Sequence, residues 1–429
     1  MILSRMVSRK IFDQARHAKS PYAIVIGIDC FTGLQTARIL SRRSIPVIGI
    51  ASNPQHACCR TKVCDNLLVA DTSSVDFIHL LEALGPKLSE SAVLYPCTDM
   101  SVLTISRHRR LLETWYRFAL PAEDVVELLM DKIRFYQFAQ EKGFLVPKTF
   151  FLHSQIDVLE AAQELKFPCI LKPSIRTPQW EKNTKTKAYT VKDAQDLLRI
   201  YEFTSNLAES LMVQEWIEGP DSNLFSCNCY FTSETLPAVT FIARKIRQWP
   251  PKTGTSSLGE ECRNEAVLQE SIRLFKHVLF RGLGYLEIKL NARNGKYYII
   301  EPNIGRPTGR SAITEAGGVE LLYTMYCDLL EQPLPENREQ QYTGVKWVYL
   351  RRDLQSALSL WRQGELTLNQ WRKSLQGRKY YALFSWTDPL PFLHDLRITF
   401  MKKVLGLTPA KHVSREVLNK KYHEEKRIL

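Results

Sequence analysis

Two carboxylates of metal-ligand type stand near one another in a stretch that is typical of a β-hairpin. The loop 293–295 ends in glycine, which suits the left-handed position of a three-residue hairpin loop. This loop places Ala292 opposite Lys296, and the same register brings Glu287 directly opposite Glu301. Facing carboxylates repel each other and destabilise a strand pair unless a cation lies between them.

A divalent cation fits the face that carries these carboxylates. Asn303 lies on the same face as Glu301, because side chains of a strand alternate with a period of two. Carboxylate, amide and phosphate oxygens together supply the hard octahedral shell that Mg²⁺ prefers. We interpret the hairpin as a metal platform for a nucleotide triphosphate. The alternative is an ordinary hairpin with solvent-facing acids.

The bulk properties indicate a multidomain globular protein. The chain has 429 residues, of which 45% are hydrophobic, enough for two or three domains. Its ten cysteines lack paired zinc-type spacing and its first residues lack a signal-peptide apolar run, so we expect reduced thiols in a cytoplasmic protein. No apolar run reaches the length of a membrane span.

The positive charge is concentrated towards the C-terminus. Residues 340–429 contain 17 Lys and Arg against 7 Asp and Glu, in a chain whose net charge is +13. A basic region on a more balanced body favours an anionic partner, whether lipid, polysaccharide or nucleic acid.

The region that follows a basic arm, 1–21, alternates strands and helices. Apolar runs at 22–29, 45–50 and 92–95 predict strands, and a helical pattern follows Gly33. This alternation is typical of a doubly wound α/β unit, whose ligands lie at the carboxyl ends of the strands. Asp29 and Asp99 follow two of these strands. They would line a substrate crevice, or else serve as capping or turn residues. The segment GIDCFTG lacks the full dinucleotide fingerprint, so no NAD site is expected.

A second set of motifs begins at residue 120. Lys132 lies at the start of a predicted helix, and Lys172 ends the strand in FPCILKPS. The segment MVQEWIEGPD then runs from a strand into a loop at 219–220. This order, followed by the Glu-x-Asn hairpin, resembles the ATP-grasp enzymes. FPCILKPS, QEWIEGPD and RGLGYLEIKLNARNGKYYIIEPN are similar to the corresponding stretches of D-alanine:D-alanine ligases and other ATP-grasp carboxylate-amine ligases, over residues 120–330.

The resemblance implies an α/β fold, in which an α+β ATP-grasp domain follows a doubly wound pre-ATP-grasp domain. A hinge between two ATP-grasp subdomains is expected near 212–218. The implied domains are a basic arm at 1–21, a pre-ATP-grasp domain at 22–119, an ATP-grasp domain at 120–330 and a basic C-terminal extension at 331–429.

The resemblance also implies roles for individual residues, with ATP and Mg²⁺ as cofactors and Mn²⁺ as the alternative ion. Compact ammonium groups suit phosphate oxygens, and an acidic side chain suits the ribose diol. The implied phosphate contacts are Lys132 and Lys172. The implied adenine contacts are the Gln214 side chain and the backbone of Glu215 and Ile217. Asp221 is implied for the ribose, and Glu287, Glu301 and Asn303 for the metal.

The chain departs from the better-known ligases in its phosphate lid. The glycine-rich lid that follows the second lysine is replaced by PSIRTPQWEKNTKTKAYTV, which contains no glycine. Lys182, Lys185 and Lys187 would supply with side chains what backbone amides supply elsewhere, and Lys187 is the preferred phosphate contact. A solvated charged loop is the alternative.

A second departure concerns the cation that stabilises the tetrahedral oxyanion. D-alanine:D-alanine ligases have an arginine two residues before the first metal carboxylate, whereas this chain has Tyr285. Another cation must take that role. Arg306 lies one residue later than the arginine of the common Asn-x-Arg pattern. The candidates are Arg306, Arg310, Lys245 and Arg247.

The predicted activity is ATP-dependent ligation of a carboxylate to an amine through an acyl phosphate. The whole chain is similar to a group of predicted carboxylate-amine ligases that includes D-aspartate ligases of peptidoglycan cross-bridges, which implies small or polymer-linked substrates of cell-envelope biosynthesis. One alternative is an ATP-grasp kinase that stops after phosphoryl transfer. Another is a non-catalytic nucleotide-binding protein docked on an anionic partner. Nucleic acid is not the expected partner, and the oligomeric state stays open.

The segment 389–407 predicts an amphipathic helix. Its apolar residues recur at helical spacing, and Arg397, Lys402 and Lys403 lie on the flank. With the basic segment that follows, residues 389–429 are expected to bring the enzyme to an anionic membrane surface, at the inner face of the membrane. Packing of the apolar stripe on the protein body is the alternative. The stripe consists of Leu393, Leu396, Phe400, Val404 and Leu407.

Overall fold

The structure is a computed structural model, and it describes residues 20–174, 178–184, 186, 188–208, 210–252 and 254–404. The predicted arm 1–21 is described only for its last two residues. Lys185, Lys187 and the end of the chain from residue 405, with Leu407, lie outside the described residues.

The described chain forms the following elements. The strands are β1 Ala23–Ile26, β2 Val47–Ala51, β3 Asn66–Val69, β4 Ala92–Pro96, β5 Tyr116–Arg117, β6 Thr149–Leu152, β7 Cys169–Pro173, β8 Tyr189–Val191, β9 Leu211–Glu215, β10 Leu224–Phe231, β11 Pro237–Trp249, β12 Thr255–Glu261, β13 Gly282–Leu290, β14 Tyr297–Ile304, β15 Lys346–Val348 and β16 Lys379–Tyr381. The helices are α1 Phe31–Ser41, α2 Asp76–Leu84, α3 Asp99–Arg107, α4 Arg109–Leu112, α5 Glu123–Met130, α6 Lys132–Glu141, α7 Gln155–Glu164, α8 Pro178–Thr184, α9 Ala194–Thr204, α10 Glu265–His277, α11 Ser311–Ala316, α12 Leu321–Leu329, α13 Leu350–Arg362, α14 Leu368–Ser374 and α15 Leu390–Val404.

These elements fall into two compact units. The first consists of the described residues within Met1–Met130, Pro220–Ile288 and Glu301–Arg397. The second consists of those within Asp131–Gly219, Lys289–Ile300 and Ile398–Leu429. The strands expected at 22–29, 45–50 and 92–95 are confirmed as β1, β2 and β4.

The first unit begins with a parallel sheet in the order β3-β2-β1-β4-β5, as the doubly wound pattern predicts. Strand β1 is buried along its whole length because its four residues, AIVI, are all apolar. The turn into α1 requires a glycine at position 33, since a Cβ there would lie 2.2 Å from the Gly27 carbonyl oxygen. Cys30 caps this helix through its Sγ, which accepts a hydrogen bond from Gly33 N at 3.3 Å.

A seven-stranded sheet, ordered β14-β13-β10-β11-β12-β15-β16, completes the first unit. Helices α1, α11 and α12 contribute to one hydrophobic core with both sheets, in which Tyr95, Tyr230 and Trp347 are fully buried. A buried ion pair joins Arg38 Nε to Asp388 Oδ2 at 2.9 Å. Residues as far as Arg397 therefore belong to this unit, although the boundary expected at residue 331 stays a prediction.

The second unit is built on an antiparallel sheet in the order β6-β9-β7-β8. Its helices begin at side-chain caps, because Ser154 and Asp193 accept hydrogen bonds from the first turns of α7 and α9. Part of the glycine-free lid is helical, as α8. Trp180 of this helix is fully buried and donates from Nε1 to the Thr186 carbonyl at 2.7 Å, so this part is packed and not a solvated loop.

The hairpin loop between β13 and β14 differs from the prediction. Asn291, not Ala292, faces Lys296, since Asn291 N donates to Lys296 O at 2.9 Å. Gly295 N donates to Asn291 O at 2.9 Å, so the loop has four residues. Gly295 has the expected positive φ of 68°. The amide of Ala292 donates instead to Glu218 O, and this bond draws Ala292 into the loop.

The amphipathic segment forms α15, and its apolar stripe is exposed. Leu393, Leu396 and Phe400 are 54, 44 and 66% exposed, so the described residues cover these side chains only in part. Nothing is described of the Val404 side chain. None of the described helices has the length and apolar character needed to cross a bilayer.

Candidate functional site

Glu287 is a buried carboxylate that is only partly neutralised. It lies on β13 with 7% exposure, and Lys245 of β11 forms an ion pair with its Oε1. Burying a carboxylate and an ammonium together costs desolvation energy that their attraction only partly offsets. A buried acid at this position suits a residue that is kept for binding a cation.

Glu301 and Asn303 stand on the neighbouring strand β14. Gly305 N donates to Leu283 O at 2.7 Å, in the register predicted for Glu287 and Glu301, whereas Asn291 and Lys296 at the loop are one residue out of that register. The strand pair therefore shifts by one residue between these two points, and the direct facing of Glu287 and Glu301 stays a prediction. Burial, and then the carboxylates of Glu287 and Glu301, raise the pKa of the Tyr285 phenol. Both carboxylates therefore lie within electrostatic reach of one buried hydroxyl.

The predicted metal set is chemically suitable for Mg²⁺, although the described residues contain no cluster of three His, Cys, Asp or Glu side chains. Two carboxylates and an amide oxygen leave places for phosphate oxygens and water, as Mg²⁺ sites commonly do. Asn303 Oδ1 already accepts a hydrogen bond from Arg306, at 2.7 Å, and its second lone pair stays available. Glu287, Glu301 and Asn303 remain the predicted ligands.

Arg306 is held between an acid and an amide. Its Nε donates to Asp99 Oδ1 at 2.5 Å, while another nitrogen donates to Asn303. Asp99, which was expected at a crevice or a cap, begins α3 and forms this ion pair. Asp29 accepts a hydrogen bond from Asn53 N at 2.8 Å, a contact between segments that follow β1 and β2, and its place at a substrate crevice stays a prediction.

Arg310 is a buried cation without a carboxylate partner among the described residues. It is 3% exposed and donates to Ser226 Oγ at 3.3 Å and to Ser256 Oγ at 2.9 Å. Its charge acts on Tyr285, where it opposes the rise in the pKa of the phenol. Tyr285 stands where the better-known ligases are expected to have an arginine, so another cation is needed near it. Of the four predicted candidates, Arg310 is buried, acts on Tyr285 and has surroundings that best fit an anion.

Arg247 has a different environment from Lys245, although both belong to β11. Its Nε and one terminal nitrogen donate to the two oxygens of Asp353 at 2.8 and 2.9 Å, and both side chains are buried. A third nitrogen donates to Ser374 Oγ at 2.7 Å. These bonds occupy the guanidinium and favour a structural role over the predicted catalytic one.

The second unit brings Lys172 and Gln214 together. Lys172 Nζ donates to Gln214 Oε1 at 3.1 Å, and Gln214 Nε2 donates to Thr149 Oγ1 at 2.8 Å. Lys172 Nζ also lies 5.5 Å from the centre of the Tyr136 ring. The lysine predicted for phosphate and the glutamine predicted for adenine are thus neighbours on β7 and β9.

The other predicted nucleotide contacts occupy defined places. Lys132 is the first residue of α6, directly after the cap Asp131, which accepts hydrogen bonds from the backbone amides of Ile133 and Arg134. Glu215 N is used by the sheet, where it donates to Lys148 O at 2.9 Å. Ile217 follows β9, and neither its N nor its O takes part in a backbone hydrogen bond between described residues. The backbone of Ile217, a residue that is 4% exposed, therefore has no backbone partner of this kind, and its contact with adenine stays a prediction.

The two remaining predicted nucleotide contacts are the ribose residue and the lid lysines. Asp221, in the first unit, accepts a hydrogen bond from Gln248 Nε2 at 2.8 Å through its Oδ1. Lys182 is exposed on α8, whereas the preferred lid residue Lys187 lies outside the described residues.

Sequence reasoning missed the groups that hold the predicted residues in place. Tyr136 lies four positions after Lys132 on one helix face, a spacing that could have suggested it. Ser226 and Ser256, which contact Arg310, carry no local signal because they are far apart in sequence.

The described residues have the ATP-grasp fold, and the sequence is similar to ATP-grasp ligases. No family model matches the chain. It is 25% identical over 235 residues to the D-aspartate ligase of Enterococcus faecium, a match that covers 52% of this chain and 55% of the relative. It is 31% identical over 188 residues to a D-alanine–D-alanine ligase B of Pseudomonas putida, covering 41% and 54%. The chain thus spans about half the length of the curated relatives it matches.

Solved structures support the assignment of the fold. An N5-carboxyaminoimidazole synthetase from Staphylococcus aureus aligns with a TM-score of 0.59 at 14% identity, over 75% of this chain and 81% of that one. The biotin carboxylase domain of the Hydrogenobacter thermophilus 2-oxoglutarate carboxylase, determined with MgADP, aligns with a TM-score of 0.57 at 14% identity, over 74% and 71%. At these identities the likeness establishes the fold alone.

Proposed function

We propose that the protein is an ATP-dependent ligase that joins a carboxylate to an amine, with Mg·ATP as the energy source. The observation that carries the proposal is the buried Glu287 carboxylate, which forms an ion pair with Lys245 and, like Glu301, acts on the buried Tyr285 hydroxyl. A protein that only needed a stable sheet would gain nothing from a buried anion of this kind. The sequence likeness to amide-forming ligases supports the same reading.

The residue roles follow from charge and placement. Lys132 and Lys172 would neutralise the phosphates, while Gln214 and the backbone at Ile217 would select the base. Mg²⁺, held by Glu287, Glu301 and Asn303, would neutralise the charge that develops on the phosphate oxygens. These residues position and neutralise, so no nucleophilic side chain is needed.

The proposed reaction has two steps, the formation of an acyl phosphate and its conversion to an amide. A substrate carboxylate oxygen attacks the γ-phosphorus, the bond from that phosphorus to the bridging oxygen breaks, and ADP leaves. An amine nitrogen then attacks the acyl carbon, the carbon–oxygen bond breaks, and inorganic phosphate leaves as the amine gives up a proton. Arg310, with the Ser226 and Ser256 hydroxyls, would stabilise the oxyanion of the second step.

The substrates belong to the same proposal at a finer level. The similarity to D-aspartate ligase and D-alanine ligases supports an amino acid as one substrate and a carboxylate or amine linked to a cell-envelope polymer as the other. Mn²⁺ would serve in place of Mg²⁺, because it accepts the same oxygen ligands.

A substrate screen tests the proposal. Pools of carboxylates and amines are incubated with Mg·ATP, ADP release is measured, and products are identified by mass spectrometry. We expect ADP release that requires both an acid and an amine, with an amide product. ADP release without dependence on an amine would replace the ligase by a kinase. The absence of any Mg-dependent binding of ATP would overturn the enzymatic reading.

A further inference from the structure

The C-terminal part of the described chain exposes much of the protein's apolar surface. Of the 22 large apolar side chains that are exposed among the described residues, 11 lie between positions 350 and 401. Single apolar residues are ordinary on a protein surface, whereas a concentration of them indicates an interaction site. The elements between residues 350 and 401 therefore form a candidate interaction surface.

Helix α15 carries one exposed stripe. Its members lie at helical spacing, and each is between 44 and 54% exposed: Leu390, Leu393 and Leu396. Trp386, just before the helix, is 87% exposed. The Phe384 ring holds it in place, with ring centroids 4.7 Å from Trp386 and 5.3 Å from Phe392 of α15.

Helix α13 carries a second exposed apolar stripe. Its polar and apolar faces are exchanged compared with an ordinary amphipathic helix, in which the apolar face is buried. Its buried face is partly polar, with Asp353 and Ser356 bonded to Arg247 and the Gln248 carbonyl. Its solvent face is apolar at every turn. The exposed residues on that face are Leu350, Leu354, Leu358 and Trp361.

One ion pair ties the two helices. Arg351 Nε of α13 lies 3.3 Å from Asp395 Oδ2 of α15. We call the two stripes together with Trp386 the C-terminal apolar surface.

The charges of this region are predominantly positive. Residues 346–403 contain 11 Lys and Arg but 4 Asp and Glu. Each acid already has a basic partner, and three of these partners lie outside the range. The pairs are Arg247–Asp353, Lys252–Glu365, Arg38–Asp388 and Arg351–Asp395. Lys346 lies 4.0 Å from Glu260 Oε2, and the range as a whole keeps a surplus of positive charge.

A shallow cavity beside Trp386 adds a place for an anionic group. Its volume is about 360 Å³, and its lining combines aromatic rings with Arg42 and Lys379. The Arg42 guanidinium lies 5.6 Å from the centre of the Tyr380 ring, which holds the cation at the cavity. Lys379 Nζ donates to the carbonyls of Leu375 and Gly377, so Arg42 is the cation that suits a phosphodiester headgroup here.

We propose that the C-terminal apolar surface docks onto a bilayer of anionic phospholipid, with a lipid phosphate beside Arg42. Exposed leucines, a tryptophan and surplus basic residues provide the apolar and electrostatic terms of interfacial binding. A second copy of the chain would place this positive surface against itself, which like-charge repulsion opposes. Nucleic acid would use stacking rings, whereas aliphatic side chains dominate here.

Vesicle co-sedimentation of the full chain tests this docking. The vesicles contain phosphatidylcholine alone or with phosphatidylglycerol, at low and at physiological ionic strength. We expect binding only to the anionic vesicles, weaker at the higher ionic strength. L393E/L396E should lower the partition coefficient by at least about tenfold, because two apolar anchors are lost. The matched control I156E/L159E changes two exposed residues of α7 by the same charge and should leave binding unchanged.

Further variants keep the test decisive. Trp386→Ser removes a side chain that is 87% exposed and contacts the Phe384 ring, and it should also weaken binding, while Arg42→Gln should reduce the preference for anionic lipid. Equal binding of L393E/L396E and its control would overturn the proposal. The proposal would also be overturned if the wild type bound no vesicles but formed a concentration-dependent dimer that L393E/L396E abolished. That result would assign the surface to a second copy of the chain. Unchanged binding by L354E/L358E would remove α13 from the surface.

Discussion

Replacement of Arg247 by methionine separates a structural from a catalytic role for one predicted site residue. Arg247 and Asp353 are 3 and 0% exposed, and the arginine supplies two of the carboxylate's hydrogen bonds, at 2.8 and 2.9 Å. The variant leaves Asp353 with Trp371 Nε1 at 3.0 Å and Ser257 Oγ at 3.4 Å. Two neutral donors do not compensate a buried negative charge.

The size of the effect follows from this burial. Breaking a buried ion pair on one side costs about 3–5 kcal/mol, because the remaining charge is left without compensation. At roughly 2–4 °C per kcal/mol, Tm should fall by about 10 °C. Replacing both partners, as R247M/D353L, should recover most of the loss, since an apolar pair avoids the desolvation cost.

Thermal unfolding and steady-state kinetics together provide the assay. Arg244→Met is the matched control on the same strand, because Arg244 pairs with Glu260 at 3.6 Å on a more exposed surface and should cost about 1 kcal/mol or less. We expect R247M to lower Tm while kcat/KM per folded molecule stays close to that of the wild type. A normal Tm combined with a large loss of kcat/KM would refute the structural assignment and place Arg247 among the reacting groups.

Three further predictions test the site and its surroundings. Glu301→Gln should keep or raise the stability of the protein without nucleotide, because like-charge repulsion is relieved, while the Tm increase produced by Mg·ATP is lost; an unchanged increase would exclude a metal role. Lys172→Met should reduce kcat/KM for ATP far more than Lys187→Met, since Lys172 ends a strand and contacts Gln214; equal losses would put the lid lysine in direct contact with phosphate. Burial raises the pKa of the Glu315 carboxyl from 4.5 to about 7, so the folded state keeps a proton that the unfolded chain releases, and stability falls as pH rises between these values. Glu315→Gln should flatten that fall, by about 3 kcal/mol, in urea unfolding measured below and above the window; an equal slope in both proteins would contradict it.

The overall fold could be read from the sequence because its signals are local. Strand β1 is a short apolar run followed by a glycine-containing turn, and its type needs no knowledge of distant residues. The hairpin β13–β14 was predicted for the same reason. Its loop was assigned one residue too few because the bond from Ala292 N to Glu218 O is a long-range contact that turn rules do not contain.

The lid shows how a composition-based argument can fail. The absence of glycine and the many lysines of PSIRTPQWEKNTKTKAYTV suggested either a basic phosphate loop or a solvated one. The single tryptophan decides part of the structure, because Trp180 is fully buried in the core of the second unit and its indole nitrogen has a backbone partner. One large apolar side chain can outweigh several charged neighbours when a packing site is available.

The catalytic cations could not be ranked from sequence because a β-bulge separates them. Lys245 and Arg247 are two positions apart, and regular alternation would give both side chains the same face. In the structure Lys245 pairs with Gly259 and Arg247 with Leu258, so the register shifts between them. The shift leaves Ile246 as the additional residue on β11. Lys245 accordingly reaches Glu287, whereas Arg247 reaches Asp353. A bulge has no reliable local signature, and yet this one determines which of two adjacent cations is available to the proposed chemistry.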